Sequence, residues 1–138
     1  MKIAIIIAQA VLFAWFFGCI CTYKMRGRVL VDGMGIKSAE FFMLCLYTLG
    51  IALFWIVPKI GKWVLFAVLL FWITVQFFCH WYYTIFGASE KKLNGYNQCF
   101  RNTIRIFPAS DTRLVPDLYH IMLHVLIIAN ICLTLTAA

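Results

Sequence analysis

The chain has little of what a soluble catalyst would carry. Only 12% of its 138 residues are charged, and acids are the scarcer kind, five Asp and Glu against twelve Lys and Arg. None of the five lies deep in a long apolar run, which removes the usual handle for coupling protons or cations across a membrane. Six cysteines are present but no Cys-x-x-Cys, so a thiol oxidoreductase has no support. There is no phosphate-cradling glycine loop, no serine elbow and no pair of carboxylates, and no catalytic residue is predicted. No internal repeat and no low-complexity segment occurs.

What the chain does have is apolar surface. Apolar residues make up 64% and aromatics 17%. A soluble domain of this size buries only roughly two-thirds of what its unfolded chain exposes, so water is the wrong solvent for it. Four uncharged runs stand out: Ile3 to Tyr23, Phe41 to Pro58, Trp63 to Ser89, and Leu118 to Ala138. Each is near or above the ~20 residues that cross a hydrocarbon core roughly 30 Å thick. The expected fold is an all-α integral membrane protein, one membrane domain over residues 1–138. Its four transmembrane helices fall at about 3–23, 40–58, 63–86 and 117–137, with one cytoplasmic interfacial amphipathic helix at about 91–107. The first run reads as a retained helix, since Lys2 alone precedes it and no small-x-small cleavage site follows a short apolar stretch.

Lys and Arg set the orientation. Lys2, Lys59 and Lys62 share one side, while Lys24, Arg26, Arg28, Lys37, Lys91, Lys92, Arg101, Arg105 and Arg113 share the other. Nine against three places loops 24–38 and 90–116 in the cytoplasm and both termini outside. The net charge of +7 then faces anionic lipid headgroups, at about 1 kcal/mol per cation, and calls for no nucleic acid.

Within loop 24–38 a turn is expected at Asp32-Gly33, and Ser38 stands as N-cap of the second helix with Glu40 in its first turn. Pro58 to Lys62 is short enough only for a hairpin, so the second and third helices pack antiparallel. From Leu93 onward, Tyr96, Phe100, Ile104 and Phe107 recur at helical spacing, with Asn94, Gln98, Arg101, Asn102 and Arg105 opposite. That pattern predicts a helix lying in the membrane surface, ended by Pro108. Its plain role is a strut; its sharper role is a lid or docking surface over the bundle.

The residues with chemical content are three histidines. Asp117, His120 and His124 fall at i, i+3 and i+7 on one face of the last helix. From the cytoplasmic surface, His124 lies roughly 10 Å deep and His80 about 9 Å deep, with Gln76 one turn beyond it. Imidazole is the commonest ligand of zinc, copper and iron, so His80, His120 and His124, with Asp117 as fourth or supporting group, form a candidate transition-metal site. Two of these histidines on different helices could instead ligate a haem axially. The plain alternative is interhelical hydrogen bonding, worth about 0.6 kcal/mol per pair. Gln9 and Asn130 match in depth near the outer surface and are expected to bond to each other as such glue.

Three functional readings follow. The first is a non-catalytic subunit or oligomerising partner in a membrane complex, working by contact with other membrane subunits or with copies of itself. The second is a metal- or haem-binding membrane redox protein. The third is a small oligomeric channel or carrier, which has no matched broken helices in its favour.

Overall fold

The computed structural model describes residues 2–137 and is mostly helical. Helix α1 covers Lys2–Phe17, followed by a hairpin of β1 (Tyr23–Met25) and β2 (Arg28–Val31). Helices α2 (Ala39–Ile56) and α3 (Pro58–Gln76) come next, and α3 runs without a break into a π-helical turn (Phe77–Trp81) and α4 (Tyr82–Phe86). Helix α5 covers Glu90–Cys99 and α6 covers Leu118–Thr136. Three of these segments are long and apolar enough to cross a membrane: Ala39–Ile56, Pro58–Phe86 and Leu118–Thr136. Helix α1 is apolar but shorter, at 16 residues.

The long helices touch in a closed cycle, α1 with α2, α2 with α3, α3 with α6, and α6 with α1. Aromatic and leucine side chains fill the middle. Trp72 of α3 meets Phe16 of α1 at 4.2 Å and Tyr47 of α2 at 5.6 Å between ring centroids. Leu12, Leu65, Leu69, Leu123 and Ile127 close around them, all buried. The outer faces carry Ile7, Leu49, Phe71, Phe78 and Ile128, each more than half exposed. A row of large apolar side chains turned outward is costly in water and neutral in lipid.

Helices α2 and α3 are joined by Val57 alone, because Pro58 begins α3 at once; proline suits a first helical position, where its missing N–H costs nothing. The expected five-residue turn at Pro58–Lys62 is therefore the first turn of a helix. The reversal is tight enough that a Cβ on Gly61 would lie 2.0 Å from the Leu53 carbonyl oxygen.

Two further expectations change. Loop 24–38 contains strands, and its reversal falls at Arg26-Gly27, both with positive φ, not at Asp32-Gly33. Two such residues match the right-handed twist of the flanking strands. Gly33 instead allows close passage against the Ile20 carbonyl, 2.6 Å from where a Cβ would stand. Helix α5 stops at Cys99, so the expected helix to Phe107 ends eight residues early. Beyond it, Thr103 bridges to Val29 of β2, and the Ile104 carbonyl accepts from Leu118 N at 2.8 Å. Those tertiary bonds take up backbone groups that the helix would have used.

Candidate functional site

Local sequence sets the frame of the site. Asp117 has extended backbone and caps α6, its Oδ1 accepting from His120 N at 3.0 Å. It thus precedes the helix as N-cap, where the expected span of about 117–137 counts it as the first helical residue. The same Oδ1 lies 2.6 Å from His120 Nδ1. One turn on, His124 Nδ1 donates to the His120 carbonyl. Because a carbonyl only accepts, the neutral His124 ring has its proton on Nδ1 and a lone pair on Nε2.

His80 reaches these rings from the π-helical turn, where the wider winding shifts the register of the helix; such turns gather at functional sites. The His80 ring lies 4.3 Å from that of His120 and 5.8 Å from that of His124, centroid to centroid. Its Nδ1 is 2.9 Å from the Tyr96 hydroxyl. All three imidazoles and Asp117 are buried.

Helix α5 closes the site. Ser89 caps it, and Leu93 and Tyr96 turn inward to a second small core with Leu114. Phe100 stands 5.1 Å from the His120 ring and 6.2 Å from the His80 ring. Leu93 and Tyr96, expected to meet the membrane surface, thus face the protein. Ile104 and Arg105 are half-buried, with Arg105 donating to Asn97 at 3.1 Å; Arg101 and Phe107 are exposed. Thr84 of α4 ties this roof down by donating to the Leu114 carbonyl at 2.7 Å. Burial pushes the Tyr96 phenol further above its ordinary range, which itself lies well above neutral pH.

Three polar atoms near the cluster are buried without a hydrogen-bond partner: His124 Nε2, Asp117 Oδ2 and Gln76 Oε1. Among the described residues, no three His, Cys, Asp or Glu side chains come together as ligands of one ion.

Comparison with known protein families, known proteins and solved structures finds no match for this chain.

Residues on the other polar contact differ from expectation in partner. Gln9 and Asn130 do not bond to each other; Tyr47 stands between them, 3.3 Å from the Gln9 carbonyl and 3.3 Å from Asn130 Oδ1. Asn130 Nδ2 donates to the Ala8 carbonyl at 3.1 Å, and Trp55 Nε1 donates to Gln9 Oε1 at 2.8 Å. Depth along a helix can be counted from a sequence, but not which way each side chain is turned. Tyr96 was missed as a site residue for a related reason. Its place on the apolar face of α5 announces burial and conceals that the phenol carries a polar end.

Proposed function

We propose that this chain is a small, non-catalytic subunit or oligomerising partner of a membrane complex. In this reading α1, α2, the rod from α3 through α4, and α6 all cross the bilayer. Helix α1 is roughly 24 Å long at 1.5 Å per residue, and its contacts with α2 and α6 support placing it among the spans. The hairpin and α5 then sit at the cytoplasmic face with nine of the twelve cations. Anionic headgroups are the partners of those charges.

One observation carries the proposal: several polar side chains between the helices are spent on joining them, and the outer faces are left broadly apolar. Tyr47, Trp55, Asn130, Trp15 and Tyr119 all bond across helix boundaries. Such a body offers contact area rather than reactive groups. Gentle extraction from native membranes tests it. The expected result is a particle well above the 15.9 kDa of one chain, with a second subunit or further copies present. A monodisperse single chain overturns the reading. Orientation is tested with Ile60→Cys: a membrane-impermeant thiol reagent applied to intact cells should label it and miss the exposed Cys99.

A second reading is favoured by the histidines. Each imidazole has Nδ1 engaged, by Tyr96, by Asp117 or by the His120 carbonyl, which is how metal-ligating histidines are held for coordination through Nε2. The unpartnered His124 Nε2 is the natural ligand atom, toward a transition metal or a haem iron. Purified protein with near-stoichiometric metal or a Soret band supports this reading. If neither is found and His80→Gln, His120→Gln and His124→Gln keep wild-type stability, the cluster is interhelical glue.

A further inference from the structure

The end of the molecule opposite the histidines carries, among the described residues, lysines and no acidic side chain. All five side-chain carboxylates, Asp32, Glu40, Glu90, Asp111 and Asp117, belong to the other end. Here stand Lys2 at the start of α1 and Lys59 and Lys62 in the first turn of α3. All three line one cavity of about 630 Å³, whose remaining walls include Phe54, Trp55 and Trp63. Lys62 has a structural task as well: its Nζ donates to the carbonyls of Leu135 at 2.9 Å and Ala137 at 2.6 Å, closing the end of α6. Lys2 and Lys59 are exposed at the mouth.

We infer that this cavity binds one anionic phospholipid, its phosphate head among the lysines and its upper acyl chain along Phe54, Trp55 and Trp63. The volume lies in the range of a site for a single small amphiphile. Apolar walls meeting a cationic rim select a molecule with an anionic head and a hydrocarbon tail. Tryptophans at this level match the boundary between headgroup and chain. The first turn of α3 adds the positive end of its dipole on the same side. The inference rests on α2, α3 and α6 lying in a bilayer, and it stands or falls independently of any protein partner.

The test uses the whole protein in a neutral detergent, titrated separately with phosphatidylglycerol, phosphatidylcholine and inorganic phosphate. Bound lipid is counted by native mass spectrometry. Phosphatidylglycerol should bind saturably at one per chain, and phosphatidylcholine at least about tenfold more weakly. Lys2→Gln and Lys59→Gln should each weaken phosphatidylglycerol binding by about fivefold, and by about twenty-five-fold together. Lys91→Gln with Lys92→Gln, at the opposite end, should leave it unchanged. Equal binding of both lipids overturns the inference, as does equal weakening by the Lys91 and Lys92 pair, which would mark a general effect of net charge. Inorganic phosphate displacing the lipid at millimolar concentration would reduce the site to an anion site and overturn the lipid assignment. The comparison of the two lipids on the unaltered protein decides the matter even where a lysine variant fails to fold.

Discussion

Trp15 and Tyr119 hold each other by two crossed hydrogen bonds. The Tyr119 hydroxyl donates to the Trp15 carbonyl at 2.9 Å, and the Trp15 indole Nε1 donates to the Tyr119 carbonyl at 3.2 Å. Their rings stack at 5.4 Å and 10°. The pair joins the last turn of α1 to the first turn of α6, and the Cys19 thiol lies 3.1 Å from the same hydroxyl. It anchors the short first helix beside the site on α6.

Removing the hydroxyl alone should therefore loosen α1 without emptying the core. Tyr119→Phe is expected to lose about 1 kcal/mol, in line with interhelical hydrogen bonds in membranes. Tyr119→Ala, which also removes the stacked ring, should lose about 3–5 kcal/mol. Thermal unfolding in detergent reads both. Equal losses would mean that the ring contributes nothing and the stacking argument fails.

Gly61 permits the approach of α3 to α2. With a Cβ lying 2.0 Å from the Leu53 carbonyl, Gly61→Ala must push the two helices apart, at a cost of about 2–3 kcal/mol. Gly95 is the control, since nothing lies within 4 Å of its Cβ and α5 is helical there. Gly95→Ala should gain about 0.5–1 kcal/mol from backbone entropy. The two substitutions are chemically identical and opposite in sign, which a single melting experiment resolves.

The hairpin turn makes a prediction about backbone only. Gly27 has φ of 79° and open space around its Cβ, so Gly27→Val should lose about 1–2 kcal/mol through conformation alone. Arg26, at φ of 51°, is a residue of ordinary type in the same left-handed region. Asn tolerates that region better, and Arg26→Asn should gain roughly 0.5 kcal/mol. Amide exchange at Val29 and Leu30 measures the local effect; slower exchange in Gly27→Val would contradict the turn.

Tyr96 carries a pH dependence. Its phenol is held above the ordinary range chiefly by burial, so the folded protein keeps a proton that the unfolded chain releases near pH ~10. The unfolded state then binds fewer protons, and stability falls as pH rises above about 10. Below that pH the contribution is fully present. Tyr96→Phe removes this group, so its stability should decline less steeply between about pH 10 and 12 than that of the wild type. It should also free His80 Nδ1, visible as a changed nitrogen chemical shift. An unchanged alkaline slope and an unchanged His80 shift together would place Tyr96 away from that ring.

Much of the long helical structure was legible in the residues because its cause is local and repeated. Uncharged runs of ~20 residues leave the backbone no partner in lipid except itself, so a helix follows from composition. Ser38 caps its helix, as expected, for reasons contained in three neighbouring residues. The hairpin was hidden because Arg26-Gly27 carries no strong turn signal, while Asp32-Gly33 does and lies nearby. The end of α5 was hidden because Phe100, Ile104 and Phe107 keep helical spacing after Cys99, and only Val29 and Leu118, distant in sequence, claim that backbone.

For the candidate site, the residues alone give position along a helix: the i, i+4 spacing of His120 and His124 puts both on one face. Which way each side chain turns was decided by packing. Tyr47, not Gln9, takes Asn130 Oδ1, because a tyrosine on α2 reaches the space that two shorter side chains leave open. Tyr96 meets His80 because α5 is folded back over the π-helical turn, a placement set by Gly87, Thr84 and Leu114 together. Rise along a helix is a property of one segment, whereas azimuth and partner are properties of how segments meet, and they exist only once the chain has folded.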